Sequence, residues 1–137
     1  MSLPYIDTDV LIRYITGDDA AKQASAAALL TQVEQGQLSV AAPDTVIADA
    51  VHVLSSPRLY HKDRATIATL LIPLVRLSKF KVKNKRIVLR ALALYGLVNL
   101  DFGDVMIVAA MQLDKSASLY SYDRGFDRIA GLTRQEP

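Results

Sequence analysis

Short apolar runs alternating with longer helical segments predict an α/β domain built on a mainly parallel sheet. Three observations carry that expectation. Strand-like runs recur five times along the chain, and helical segments separate most of them. Residues 79–83, Lys-Phe-Lys-Val-Lys, alternate polar and apolar at the two-residue period of a half-buried strand. Parallel neighbours need crossover connections, which the intervening helices supply.

In chain order, residues 3–6 form the first extended run, and helical spacing follows from Val10 through Ile15 until Gly17, Asp18 and Asp19 stop it. Asp18 or Asp19 caps an alanine-rich helix reaching about Gln35, closed by Gly36. Residues 38–41 read as the second strand. Pro43 and Asp44 open a helix from Thr45 to about Ser55, and Pro57 prevents its continuation. Asp63 caps a helix over residues 64–77, with a kink expected at Pro73. After the strand at 79–83, a helix begins at Asn84 or its neighbour and runs to about Tyr95, ended by Gly96. Asp101 caps a helix from Phe102 to about Leu113 that is apolar nearly all round, so it is expected at the centre of the fold. Residues 117–121 make a fourth strand, 124–129 a short helical turn and 132–134 a fifth strand. No repeat, low-complexity tract or linker interrupts residues 1–137, which read as one domain.

The chain has 137 residues, 51% hydrophobic and 22% charged, enough for one globular core. It contains no cysteine, which excludes disulfides and thiolate metal sites and fits a reducing cytoplasm. His52 and His61 are the only histidines, too few for a histidine-rich zinc site. Any metal must then be held by carboxylates, which select a hard cation such as Mg²⁺ or Mn²⁺. Asp7 and Asp9 stand where a secretory h-region would run, and no stretch approaches the ~20 apolar residues of a membrane span. A net charge of +2 permits a polyanionic partner without requiring one.

Four acids occupy unusual places. Asp7 and Asp123 each follow a strand, the edge of an open parallel sheet where ligands bind, although a helix cap explains Asp7 equally well and a turn residue is the ordinary reading of Asp123 taken singly. Asp49 borders the apolar stripe of Val46, Ala50, Val53 and Leu54; it either seeks a cation or points to water beside His52. Asp104 heads the line Ile107, Val108, Met111 on one helix face, and its first-turn position also suits the helix dipole. A parallel sheet can bring all four to one edge. Crowded carboxylates repel and raise one another's pKa unless cations neutralise them. Four carboxylates without histidine suit metal-assisted hydrolysis, above all of phosphodiesters.

At these positions the sequence resembles the PIN-domain family, especially the VapC-type toxins of bacterial toxin–antitoxin pairs. Tyr5-Ile6-Asp7-Thr8-Asp9-Val10-Leu11-Ile12-Arg13 is similar to the family's opening strand–Asp–Thr–Asn–helix motif. Ala48-Asp49-Ala50 resembles the segment carrying the second acid, Asp101-Phe102-Gly103-Asp104-Val105 the third motif, and Tyr120-Ser121-Tyr122-Asp123-Arg124-Gly125-Phe126-Asp127 the fourth. The resemblance implies a three-layer α/β/α fold with a five-stranded parallel sheet, Mg²⁺ or Mn²⁺, and endoribonuclease activity on RNA. It also implies a homodimer and a cognate antitoxin. Asp7, Asp49, Asp104 and Asp123 would take the acidic roles, with Thr8 and Ser121 hydrogen-bonding the cluster or its water. Asp49 replaces the usual Glu and Asp9 the common Asn, while Asp101 and Asp127 are either supporting acids or caps.

Arg13 and Arg124 neighbour the proposed catalytic segments and are the candidate phosphate contacts. The acid-free run of Lys79, Lys81, Lys83, Lys85, Arg86 and Arg90 either attracts RNA or is a solvated edge. Tyr14, Tyr60 and Tyr122 are candidates to stack bases. Two alternatives stand beside the nuclease. One is a non-catalytic PIN-like module that binds RNA or protein, suggested by Asp9 and Asp49. The other is a haloacid-dehalogenase-type phosphatase, suggested by Asp7-Thr8-Asp9, although Leu11 and Val108 break that pattern.

Overall fold

The computed structural model describes residues 2–137. Helix α1 (Thr8–Ile15) starts on Asp7, whose carboxylate accepts the Thr8 N–H at 2.6 Å. Asp19, not Asp18, caps α2 (Ala20–Glu34), accepting the Lys22 N–H at 3.0 Å. The strand β1 (Val40–Ala42) is wholly buried and leads through Pro43 into α3 (Asp44–Ser55). Asp63 caps α4 (Arg64–Val75), which carries Pro73 inside it, and β2 (Phe80–Val82) follows. Asn84, in the left-handed region at φ 57°, turns the chain into α5 (Lys85–Tyr95). Its side chain donates to Asp44 at 3.1 Å and so ties this turn to the start of α3. Next come α6 (Phe102–Leu113), β3 (Ser118–Tyr120), a 3₁₀ turn (Arg124–Arg128) and β4 (Thr133–Gln135).

All strand pairings are parallel. Val40 lies opposite Phe80 and Ala42 opposite Val82. Tyr5 joins the far side of β1 through one bridge to Ala41, in which the Ile6 N–H donates to Ala41 at 3.0 Å and the Ala41 N–H to Pro4 at 2.9 Å. β3 and β4 form a separate pair, Ser118 opposite Thr133 and Tyr120 opposite Gln135. The expected five-stranded sheet is therefore not what is seen. Among the described residues there are two two-stranded sheets and a bridge. Residues 3–6 include Pro4, which has no N–H to extend a ladder. The alternate residues of β3 and β4 are exposed, so this pair lies at the surface instead of continuing a covered sheet.

The core is made by Leu11, Ile47, Leu54, Ile67, Leu71, Phe80 and Leu92, all fully buried, where the helices meet β1 and β2. α6 departs from the expectation of a central helix. Phe102, Val105, Val108 and Ala109 are buried, yet Ile107 is 42% exposed and Asp104 and Met111 are half-buried. Its main neighbour is α5, with a smaller contact to α3, so one side remains open. A uniformly apolar helix gives no angular signal for which side will be covered. Asp104 thus stands at the border of the buried stripe, one face over from its centre.

Arg64 fixes the approach to this helix. Its guanidinium donates to the Tyr95 carbonyl at 2.8 Å and to the Leu100 carbonyl, and it lies 3.7 Å over the Tyr95 ring. It thereby satisfies the end of α5 and holds the residue preceding Asp101. Arg64→Met keeps the aliphatic stem but leaves both carbonyls without this donor. The expected loss is about 2 kcal/mol, read as a lower urea midpoint at unchanged m-value. An unchanged midpoint would show that those carbonyls are satisfied without Arg64.

Candidate active site

Asp7 and Asp49, far apart in the chain, line one cavity of about 370 Å³ with Thr8, Asp9, Arg13 and Tyr60. Packing of α1 on α3 brings them there, and Thr8 Oγ1 donates to the Val46 carbonyl at 3.4 Å across the same contact. Asp49 does not turn toward the core. Val46, Ile47, Ala50, Val51 and Leu54 fill the buried stripe of α3, while Asp49 is exposed. Water solvates its charge, so burial alone imposes no cation on it.

Asp104 forms a second group with Asp123 and Asp101. Its carboxyl pKa is raised, first by burial and then by repulsion from Asp123 and Asp101. Asp101 occupies the cap position of α6 without making a side-chain cap hydrogen bond, so its carboxylate is not spent on the helix. Asp123 is held in a tight turn. Its Oδ1 accepts the Gly125 N–H at 2.8 Å, and Ser121 Oγ accepts the Asp123 N–H at 2.9 Å. A Cβ at Gly125 would stand 3.0 Å from Asp123 Oδ1 and 3.0 Å from Leu100, so glycine lets this turn close.

Asp127 is engaged elsewhere. Arg134 grips it at 3.0 and 3.3 Å while also donating to the Ser121 carbonyl at 3.1 Å, which ties β4 to the turn carrying Asp123. That hydrogen bond, with the charges of Arg134 and Arg124, holds the Asp127 carboxyl below its usual range. Arg124 itself is exposed. Within the basic run, Lys85 donates to the Leu77 carbonyl at 2.9 Å and Arg90 to Gln112 at 2.7 Å, so these two also serve the fold.

Asp18 had no role beyond a stop or cap in the sequence, and the structure gives it a different one. Its carboxylate accepts the Tyr60 hydroxyl at 2.6 Å, the Thr16 hydroxyl at 2.9 Å and Arg13 Nη1 at 3.4 Å. These bonds, Tyr60's foremost, lower its pKa. Arg13 and Tyr60 are thereby anchored at the rim of the Asp7–Asp49 cavity. No local pattern announces a bond between residues 18 and 60.

Asp7 and Asp49 thus share one cavity, and Asp104 is crowded by Asp123 and Asp101. Among the described residues, no three His, Cys, Asp or Glu side chains converge closely enough to enclose an ion. In kind the donors fit a hard divalent cation, since every one is a carboxylate oxygen.

The crowding around Asp104 has a measurable consequence. A carboxyl whose folded pKa is raised adds stability below its unfolded pKa and loses it as pH rises through the folded value. Asp101→Asn removes one repelling charge and is expected to lower the Asp104 pKa, followed by carboxyl ¹³C chemical shift in metal-free protein. An unmoved titration would mean that Asp101 does not act on Asp104.

A family model described as the PIN domain matches residues 5–132, a span that includes Asp7, Asp49, Asp104 and Asp123. No curated protein matches the chain. PIN domains are generally nucleases that use divalent metals, and the match displaces the haloacid-dehalogenase alternative. No helix among the described residues is long and apolar enough to cross a membrane. With the match running over nearly its whole length, the chain belongs to the PIN domain family.

Proposed function

We propose that this protein is a Mg²⁺- or Mn²⁺-dependent endoribonuclease, the toxin of a type II toxin–antitoxin pair, acting in the cytoplasm as a homodimer restrained by a cognate antitoxin. The observation that carries the nuclease reading is the half-buried Asp104, crowded by Asp123 and Asp101 at the start of α6. Uncompensated crowding of this kind is what a cation would relieve.

Asp7, Asp49, Asp104 and Asp123 would hold the ion, which when bound supplies an acidified water and neutralises charge on the phosphate oxygens. The chain's own residues do the rest. Arg13, anchored by Asp18, orients the scissile phosphate, and only one of its donors is used in that anchor. Water would attack phosphorus in line as the P–O bond to the ribose oxygen on the opposite side breaks, and that oxygen would leave with a proton taken from solvent. One of these carboxylates would accept the water's proton. Thr8 and Ser121 hold the segments that carry Asp7 and Asp123 in place.

A second reading, a non-catalytic PIN-like module that binds RNA or protein, is favoured by the lack, among the described residues, of any three His, Cys, Asp or Glu side chains placed to enclose an ion. Cleavage of a single-stranded RNA by rigorously purified protein decides between them. The nuclease reading expects fragments with Mn²⁺ and none with EDTA. Equal residual cleavage by wild type, Asp7→Asn and Asp104→Asn would defeat it.

A further inference from the structure

A second cavity, of about 440 Å³, lies between α1 and α2 and shares Asp9 and Arg13 with the Asp7–Asp49 cavity. Its size lies in the range of small-ligand sites. Beside the shared Asp9 carboxylate, its walls combine two chemistries. Val10, Ala26 and Leu29 provide an apolar floor, while Arg13 and Lys22 bring cations. Arg13 is common to both cavities and is held by Asp18, which itself is braced by Thr16 and Tyr60. Lys22 uses its backbone N–H to cap α2 on Asp19 and makes no side-chain ion pair among the described residues.

We propose that this cavity is a nucleotide subsite beside the carboxylate site, where Arg13 and Lys22 take successive backbone phosphates and Val10, Ala26 and Leu29 receive the face of a base. The inference rests on the nuclease reading and adds to it where the strand runs. A strand crossing Asp7, Asp9 and Asp49 meets repulsion there, so its hold must come from cations just beyond them. Arg13 and Lys22 are the cations that line a cavity on that side. An apolar floor matches the flat, weakly hydrated face of a base irrespective of its identity. The subsite therefore favours single-stranded RNA over duplex, whose bases are already stacked.

The test uses a single-stranded RNA hexamer and the corresponding dinucleotide. Binding of the hexamer is measured in the Asp104→Asn background, and cleavage in the otherwise wild-type protein. Lys22→Ala is expected to weaken hexamer binding and reduce the slope of log affinity against log salt by about 0.7, the share of one phosphate contact on a single strand. Arg86→Ala, in the basic run, should leave the slope unchanged. Leu29→Trp, which fills the cavity, is expected to raise KM for the hexamer by about tenfold with kcat preserved, and to leave dinucleotide cleavage alone. Lys22 is exposed, so its variant remains informative if Leu29→Trp does not fold. Wild type that cleaves the hexamer, paired with a Lys22→Ala variant of unchanged salt slope, overturns the subsite alone. Wild type that neither binds nor cleaves the hexamer overturns the nuclease reading along with it.

Discussion

Asp104→Asn is expected to cut Mn²⁺-dependent RNA cleavage by on the order of 10³-fold while raising the melting temperature of the metal-free protein at neutral pH. Cation-assisted hydrolysis draws several kcal/mol of transition-state stabilisation from the ion, and each 1.36 kcal/mol is tenfold in rate. An amide is a poorer ligand for a hard cation and cannot take a proton from water. The thermal gain has the opposite origin. Burial and the charges of Asp123 and Asp101 penalise the ionised Asp104 in the folded state. Its raised pKa means that this penalty grows as pH rises through the folded value, so removing the charge relieves it at pH 7. At about pH 3, below the unperturbed Asp value, the gain should largely vanish. Calorimetric scans at the two pH values beside cleavage rates check both halves. A variant that lost activity and stability together would point to a damaged helix start in place of a lost ligand.

Phe80→Ala should destabilise the protein by about 3–5 kcal/mol, the usual cost of emptying a buried aromatic position. Phe80 is fully buried where β2 pairs with β1, directly opposite Val40. The cavity would open beneath the pairing that aligns β1, and with it the single bridge positioning Tyr5 and Asp7. A lower denaturation midpoint and faster amide exchange at Ala41 and Ile6 are the expected readouts. A loss under 1 kcal/mol would mean that the core collapses around the missing ring.

The helices were legible because their ends carry local chemistry. Asp19, Asp63 and Asp101 stand at N-termini and Gly96 at a C-terminus, where the caps place them. Strand extent was not legible. Three-residue pairs leave almost no periodicity to read, and whether residues 3–6 and 117–121 share a sheet is decided by packing. The four acids could be picked out because Asp7 and Asp123 follow strands while Asp49 and Asp104 border the apolar stripes of their helices. Their association in pairs, Asp7 with Asp49 and Asp104 with Asp123, could not, because it depends on how α1 meets α3 and how the Asp123 turn closes over Gly125. Arg64 on Leu100 and Asp18 on Tyr60 were invisible for the same reason: each bond joins residues with no local relation.

Anomalous diffraction from a crystal grown with Mn²⁺ tests most directly whether the two acidic groups serve one ion centre. The expected result is manganese ligated by carboxylates from both groups, at minimum Asp7 and Asp104. Manganese bound to neither group, with Asp7 and Asp104 facing separate solvent, would contradict the nuclease reading at its root.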